Sequence, residues 1–401
     1  MSSRIFDEHL AYWTDDVKID RYRRALAEVM TPGATVLDLG CGTGLLGLLA
    51  CEAGAGKVYA VDSGPIAAVA HDVFERNGVG DRVEVIRAMS TDLHLPERVD
   101  VIIGDQIGGF AYTAGVFKYY ADAAERLLAP DGVTIPERFE LMIAAVEHPA
   151  SRSSVEGFGD PLAGFDLTPV HELVRNTMRT VSLRDEAPLL SAPTAVHRRL
   201  ATDASRFSTS ARLTVTRDGV LDGVVGMFVA TMSPGVSMSN VPGHPDMMDK
   251  RWQDLFPLDR PVPVRAGDVV VTEVSVNPDS YLATWEITVE GADGTSTGQR
   301  RSTFEGQLFD AAQVRLLANR PVRTSPLGRA AARVIAESDG EALDTAAITA
   351  RLVEAMPHLQ RSEIERTVRR LAAVLATGPT AQVPDGDDQA HPAGEDHPVG
   401  S

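Results

Sequence analysis

The chain of 401 residues contains only two cysteines and no apolar run long enough to cross a bilayer. Cys41 and Cys51 lie close together in the sequence, which argues against a disulfide framework and indicates a reducing compartment. The first residues, MSSRIFDEHLAYW, lack the basic start and the continuous apolar core of a secretory signal. We therefore expect a cytoplasmic protein that has no membrane partner.

Basic residues are also scarce, since 38 Lys and Arg face 56 Asp and Glu and leave a net charge of −18. This balance disfavours binding to the phosphate backbone of a nucleic acid, and no basic stripe compensates for it. The excess of acid suits a cationic cofactor and a basic substrate, although solubility alone would also explain it. No cluster of cysteine and histidine has the spacing of metal ligands, so we expect no metal site.

The most informative stretch begins at Val36 and reads VLDLGCGTGLLGLLACEAGAGKVYAVD. An apolar strand leads into a glycine loop, a helix rich in Leu and Ala follows, and a second apolar strand ends at Asp62. This order is typical of a nucleotide-binding βαβ unit, in which glycines let the backbone turn tightly and approach a ligand. The carboxylate of Asp62 is then placed to accept the hydroxyls of a ribose.

The spacing of the glycines separates two kinds of cofactor. A dinucleotide site requires Gly-x-Gly-x-x-Gly, whereas this loop carries Gly40, Gly42 and Gly44, with Asp38 two positions before the first glycine. The pattern Asp-x-Gly-x-Gly-x-Gly with a second acid after the next strand resembles the S-adenosylmethionine site of class I methyltransferases. A nicotinamide enzyme and a βαβ unit that has lost its ligand are the alternatives.

Strands and helices alternate through the first third of the chain. The predicted elements are helices at 5–30, 65–77 and 117–128, strands at 83–86 and 99–103, and a tight turn at 130–132. We therefore expect an α/β fold with a doubly wound, Rossmann-like parallel sheet, which forms an S-adenosylmethionine-binding domain over residues 1–135.

The pattern changes after Phe139. Strand-like segments there alternate apolar with polar residues, which is typical of an antiparallel sheet or barrel with one solvated face. We expect a β-barrel domain for substrate binding and dimerisation over residues 136–310, interrupted by a helical piece near 169–176.

Three short amphipathic helices are predicted near the end of the chain. They suggest a winged-helix-like module over residues 320–378, whose first helix starts at Ser325 and which includes a capping box formed by Ser362 and Glu365. Residues 379–401 are acidic and rich in Pro and Gly, so they are predicted to be disordered.

The segments on both sides of the glycine loop carry a more specific resemblance. The spacing of His9, Tyr12 and Lys18, together with the joint near Pro136, resembles the protein arginine methyltransferase family over residues 5–306. The resemblance implies S-adenosylmethionine as the cofactor, with His9 and Lys18 at its carboxylate. Lys18 stands where the family has an arginine. The loop and the resemblance together imply these cofactor-binding residues: His9, Lys18, Asp38, Gly40, Gly42, Gly44, Leu45, Asp62, Ser63, Ser90 and Thr91.

The candidate catalytic residues depart from the family pattern. The family clamps a guanidinium between two glutamates nine residues apart on one hairpin loop, and the matching positions here are Asp105 and Ala114. A single shortened carboxylate cannot form that paired clamp. Trp252 matches the tryptophan of the family's Thr-His-Trp loop, and Tyr12 is placed to shield the transferred methyl group. Asp105, Tyr12 and Trp252 are therefore the candidate catalytic residues.

These departures favour an amine as the methyl acceptor. A lone carboxylate can orient an amine or take its proton, whereas a guanidinium benefits from two carboxylates. The terminal module resembles the peptide-recognition modules of ribosomal natural-product pathways, so we expect a peptide N-methyltransferase, as in daptide-type biosynthesis. Protein arginine methylation and a catalytically silent cofactor-binding scaffold are the alternatives. The family's dimerisation arm matches residues 164–176, which implies a homodimer.

Overall fold

The chain folds as two units, residues 1–312 and residues 313–401. A computed structural model describes residues 3–175, 177–250, 252–278, 281–304, 307–309, 345–356 and 361–375.

A parallel sheet forms the first layer of the larger unit. Its order is β3-β2-β1-β4-β5, so the chain crosses over between β1 and β4. The inner strands are almost continuously apolar because helices cover both faces of the sheet. The strands are β1 (Thr35–Leu39), β2 (Lys57–Asp62), β3 (Val83–Arg87), β4 (Val99–Gly104) and β5 (Leu128–Ile135).

The predicted helix at residues 5–30 is wrong as a single element. It divides into α1 (Ser3–Trp13) and α2 (Asp16–Val29) because Asp15 caps α2, and its side chain accepts a hydrogen bond from the Lys18 backbone N–H at 3.0 Å. The other helices around the parallel sheet lie where they are predicted. They are α3 (Leu45–Glu52), α4 (Ala67–Arg76) and α5 (Val116–Leu127), with short 3₁₀ turns at Gly80–Arg82 and Ser90–Asp92.

The predicted tight turn at residues 130–132 is also wrong. β5 continues through these residues, and its pairing with β4 shifts between Val99, opposite Leu128, and Val101, opposite Val133. The Pro-Asp-Gly sequence therefore lies in an irregularity of the strand and not at its end.

Two antiparallel sheets follow Pro136. Their orders are β7-β12-β10-β6-β8, with β11 beside β10, and β16-β15-β14-β13-β9. Their strands are β6 (Arg138–Val146), β7 (Arg179–Val181), β8 (Thr194–Leu200), β9 (Phe207–Thr214), β10 (Gly219–Ser233), β11 (Val236–Ser239), β12 (Gln253–Val264), β13 (Val269–Asn277), β14 (Leu282–Glu290), β15 (Ser296–Phe304) and β16 (Gln307–Phe309). Helices α6 (Pro149–Glu156) and α7 (Thr168–Arg175) interrupt them, and the second lies at the predicted helical piece. The expected fold class is confirmed.

A chain of edge-to-face aromatic contacts joins the parallel sheet to the antiparallel sheets. Phe117 of α5 contacts Phe139 of β6, and Phe139 contacts Phe228 of β10, with ring centroids about 5.5 Å apart. Phe110 contacts Phe256 of β12 in the same way at 5.6 Å. The hairpin between β4 and α5, which contains Phe110, is thus held against the antiparallel sheets by a shared apolar core.

The smaller unit contains α8 (Thr345–Ala355) and α9 (Arg361–Leu375). The capping box is wrong in detail, because Ser362 lies inside α9 and the Glu365 carboxylate accepts from Arg361 at 2.9 Å. The predicted helix at Ser325 and the predicted disordered tail at 379–401 lie outside the described residues. In the described part of the chain, no helix is long and apolar enough to span a membrane.

Candidate functional site

A cavity of about 380 Å³ lies at the carboxyl ends of β1, β2 and β4. In a doubly wound sheet this edge, next to the crossover between β1 and β4, is where ligands bind. The predicted site residues that line the cavity are His9, Tyr12, Lys18, Gly40, Gly42, Leu45, Asp62, Asp105 and Trp252. Lining residues that had not been predicted include Glu8, Trp13, Gln106, Thr113, Thr180 and Asp254.

The glycine loop leaves no room for side chains. Gly40 has φ +68°, and a Cβ atom there would lie 1.9 Å from Nε2 of Gln106. Gly42 has φ +54°, and its Cβ would lie 2.5 Å from Cε1 of His9. The backbone of the loop therefore faces the cavity directly, which suits a ligand held by backbone groups.

Asp62 links the end of β2 to the glycine loop. Its carboxylate accepts from the N–H of Gly42 at 3.1 Å and from the N–H of Gly64 at 2.7 Å. These bonds fix the carboxylate at the cavity wall, and its contact with a ribose stays a prediction.

Asp38 lies beneath the loop and does not line the cavity. It is fully buried, and one oxygen accepts from the Gly47 N–H at 2.8 Å. The other oxygen, Oδ1, has no hydrogen-bond partner among the described residues. Burial raises the pKa of Asp38 to about 7, although the Gly47 bond lowers it. In this structure the Asp38 carboxylate thus contacts the first turn of α3 through Gly47.

The remaining predicted cofactor residues lie around the cavity and not in its wall. Gly44, with φ +92°, caps α3 and leaves space for the ring of Phe74, 2.7 Å from the position of its Cβ. Ser63 is exposed after β2. Ser90 and Thr91 lie in a 3₁₀ turn that Arg126 holds by donating to the Ser90 carbonyl at 2.8 Å. Their cofactor contacts remain predictions.

Helix α1 covers the glycine loop. Trp13 donates from its indole N–H to the Thr43 hydroxyl at 2.8 Å, and Tyr12 donates to Glu8 at 2.6 Å. Burial lowers the pKa of His9, which lines the same cavity. Trp13 could have been found from the sequence, since it lies four residues after His9 and therefore on the same helix face.

Lys18 and Asp105 form a buried ion pair. The distance from Nζ to Oδ2 is 2.9 Å, and the side chains are only 3% and 15% exposed. Nζ also lies 4.0 Å from the centre of the Tyr12 ring. A residue predicted for the cofactor and one predicted for the substrate thus contact each other directly.

Two phenols hold the backbone immediately before Asp105. Tyr22 and Tyr120 both donate to the carbonyl of Gly104, at 2.7 Å and 3.1 Å. The single hydroxyl proton of Tyr120 is shared between this carbonyl and that of Ile135, which lies at 2.7 Å. Both rings are buried, so the end of β4 is rigidly placed in the cavity wall.

The hairpin after β4 contributes several residues to the cavity, and Asp105 and Ala114 are among them. These are the two positions that the resemblance matches to the paired glutamates. The hairpin is fixed by Asn240, which is fully buried and donates to the carbonyls of Gly109 and Trp252 at 2.7 Å each. Asn240 therefore links the backbone of Trp252 to the hairpin, and no local sequence pattern predicts this link.

The Asp15 carboxylate, which is 2% exposed, accepts from the backbone N–H groups of Asp249 at 3.3 Å and Lys250 at 3.0 Å. It thereby connects the start of α2 to the segment that precedes Trp252.

Comparison with known proteins gives the family of this site. Residues 23–136 match the family model for ribosomal protein L11 methyltransferase (PrmA). Protein arginine N-methyltransferase 1 of Schizosaccharomyces pombe is 36% identical over 159 residues, which cover 39% of this chain and 47%, about half, of that relative. Arginine N(omega)-methyltransferase of Streptomyces achromogenes subsp. streptozoticus is 31% identical over 282 residues, which cover 65% of this chain and 74% of that protein.

A solved structure has the same fold. The PRMT1 enzyme–prozyme heterotetrameric complex of Trypanosoma brucei, determined with AdoHcy, has a TM-score of 0.63 at 21% identity and covers 73% of this chain and 97% of that chain.

The parallel sheet, its glycine loop and the cavity beside them, together with these matches, define a class I S-adenosylmethionine-dependent methyltransferase. The chain belongs to the protein arginine methyltransferase family. The cofactor fits the residues present, because the loop has space only for backbone, Asp62 offers a fixed carboxylate and Lys18 offers a buried cation.

Proposed function

We propose that the protein is an N-methyltransferase whose acceptor is an amine of a peptide. The observation that carries the proposal is the state of the two acceptor positions. Asp105 is paired with Lys18 at 2.9 Å, and the second position is Ala114. At these two positions the hairpin therefore offers one neutralised carboxylate where a guanidinium clamp has two acids.

The charge balance favours an amine over a guanidinium. A guanidinium is always cationic, so it needs uncompensated negative charge and a planar pair of acceptors. The Asp105 carboxylate already has Lys18 as its counter-ion. An amine that has lost its proton is neutral and needs no planar pair of carboxylates, because separate acceptors for its N–H groups orient its lone pair.

When bound, S-adenosylmethionine supplies a methyl group on a sulfonium sulfur, and transfer is an in-line displacement. The residues of the chain have to position the nucleophile and exclude water. Tyr12 and Trp252 line the cavity with aromatic surface, and Asp105 faces it from the end of β4. Lys18, close to Asp105, disfavours a second positive charge and so favours the unprotonated amine.

Arginine methylation is the second candidate, and one observation favours it. Asp254 of β12 also lines the cavity, so a carboxylate from outside the hairpin is present beside Asp105. The Streptomyces relative is named as an arginine methyltransferase. Against this, an oxygen of Asp254 is already engaged by the Phe110 N–H at 2.8 Å and the Thr113 hydroxyl at 3.2 Å.

The acceptor can be identified with three short peptides and methyl-labelled S-adenosylmethionine. The first has a free α-amine and no Lys or Arg, and the other two are acetylated and carry one Lys or one Arg. We expect acid-stable label on an amine, located by fragment mass spectrometry. Label on the guanidinium alone contradicts the proposal, and no label with intact cofactor binding supports a silent scaffold. A role in ribosomal peptide natural-product biosynthesis is part of the proposal and stays a prediction.

A homodimer is also proposed, through the segment that contains α7. Large apolar side chains are exposed there, with Leu162 at 44%, Phe165 at 70% and Val170 at 37%. We expect Phe165→Asp to shift the protein from dimer to monomer in sedimentation velocity, because a buried charge opposes association. The matched control is Leu200→Asp, an exposed apolar residue of β8 at 51%, which should leave the dimer intact. A monomeric unaltered chain would refute the homodimer.

A further inference from the structure

Asp254 and Thr113 form a pair in the cavity wall. Asp254 belongs to β12 and is 2% exposed, and its Oδ2 accepts from the Thr113 hydroxyl at 3.2 Å and from the Phe110 N–H at 2.8 Å. Both Asp254 and Thr113 line the cavity. The pair therefore joins a strand of the antiparallel sheet to the hairpin that contains Asp105.

Two successive glycines make the space for this pair. A Cβ atom on Gly108, which has φ +78°, would lie 2.1 Å from Oγ1 of Thr113. A Cβ atom on Gly109 would lie 2.5 Å from Oδ1 of Asp254. Because any side chain at either position would displace the pair, the placement of the Thr113 hydroxyl depends on both glycines.

The direction of the hydrogen bond between Thr113 and Asp254 determines which further hydrogen bonds the Thr113 hydroxyl can form. An ionised carboxylate only accepts hydrogen bonds, so the single hydroxyl proton of Thr113 is committed to Asp254. The lone pairs of the Thr113 oxygen then remain for an N–H donor in the cavity. Burial raises the pKa of Asp254 to about 6, with the Phe110 bond acting against it, so the carboxylate is ionised at neutral pH.

The charged and titratable neighbours leave this assignment intact. Burial, together with the charge of Asp254, raises the pKa of Tyr112 on the same hairpin well above 10, so its phenol stays neutral. Lys18 and Asp105, which line the same cavity, are paired with each other.

We propose that the Thr113 oxygen accepts one N–H of a primary amine while Asp105 accepts another, with Asp254 as the residue that orients Thr113. The inference rests on the proposed function and names its substrate class. A primary ammonium or amine directs its N–H groups tetrahedrally to separate point acceptors, whereas a guanidinium requires a planar pair. The Thr113 hydroxyl and the Asp105 carboxylate lie in different parts of one hairpin, so they provide separate point acceptors and suit an amine.

The test compares Thr113→Val, which keeps the shape and removes the hydroxyl, with Thr113→Ser, which keeps the hydroxyl. The first readout is calorimetric binding of the lysine- and arginine-free peptide to protein loaded with S-adenosylhomocysteine. The second is kcat/KM for the same peptide. We expect Thr113→Val to weaken both about 10- to 100-fold, and Thr113→Ser to stay within about threefold. The acetylated twin peptide should bind both variants equally.

Asp254→Asn tests the positioning role through the pH profile. Below pH 6 a protonated Asp254 can donate to Thr113 and occupy its lone pair, so kcat/KM of the unaltered enzyme should fall there. The fall near pH 6 should be absent in Asp254→Asn, and a thermal melt at each pH shows whether a variant is folded.

The outcomes separate this inference from the proposed function. If the unaltered enzyme labels only the arginine peptide, both the proposed function and this inference are overturned. Label on an amine, with Thr113→Val as active as the unaltered chain, overturns the inference and leaves the proposed function intact. Equal losses in Thr113→Val and Thr113→Ser also overturn it, because the hydroxyl would then not be the relevant group.

Discussion

The Asp105→Asn enzyme is expected to transfer methyl groups about 10²- to 10⁴-fold more slowly than the unaltered chain at saturating cofactor. Asparagine keeps the size of the side chain and removes the charge that orients the amine and takes its proton. The backbone at this position should not move, because Tyr22 and Tyr120 still hold the Gly104 carbonyl. The measurement is kcat, followed as release of S-adenosylhomocysteine.

The control for this prediction is Asp131→Asn, an exposed carboxylate in the irregular part of β5 that does not line the cavity. It should retain full activity. Binding of S-adenosylhomocysteine should be measured for both variants, because a loss of cofactor affinity would indicate a different role for Asp105. An Asp105→Asn enzyme that keeps more than about a tenth of the activity would contradict the proposed role.

Asp38→Asn should make the free enzyme more stable at high pH relative to the unaltered chain. The buried carboxylate has one oxygen without a described partner, and its pKa is raised from 3.8 to about 7. Between these values the folded chain holds a proton that the unfolded chain has lost. The contribution of Asp38 to the free energy of unfolding is therefore fully present below the pKa that Asp38 has in the unfolded chain. It is lost as the pH rises from there through 7.

The size of the effect follows from the same shift. Between pH 5 and pH 8 the unaltered chain should lose about 3 kcal/mol of unfolding free energy that Asp38→Asn does not lose. Urea titrations without cofactor at several pH values measure this difference. Asp100→Asn is the matched control, because Asp100 also accepts from a backbone N–H, that of Thr35 at 2.8 Å, but is exposed. Parallel pH curves for Asp38→Asn and the unaltered chain would refute the prediction.

Local sequence pattern predicted the elements that carry the cofactor loop. The stretch from Val36 to Asp62 folds as strand, loop, helix and strand because apolar runs, glycines and a terminal acid follow one another without interruption. Where a single polar side chain decides the outcome, the pattern failed. The cap formed by Asp15 breaks the predicted first helix, and strand pairing carries β5 through Pro130 to Gly132.

Part of the site has a signal in the local sequence spacing. Asp254 lies two residues after Trp252, so an extended chain places both side chains on one face. Trp13 has the corresponding helical spacing from His9. Asn240 has no such signal. Its partner Gly109 is 131 residues away and its partner Trp252 is 12 residues away, so no local spacing relates the three.

The sequence by itself determined the cofactor and the family, because the residues predicted to bind S-adenosylmethionine are concentrated in short segments with a characteristic spacing. The resemblance also matched Ala114 to the second acid of the family's clamp, and this match stays a prediction. Only the tertiary structure decided which charges meet. Lys18 and Asp105 are 87 residues apart, and Thr113 and Asp254 are 141 apart. Such pairs form because the carboxyl ends of parallel strands, a covering helix and a strand of the next sheet converge on one cavity, and no local periodicity encodes that convergence.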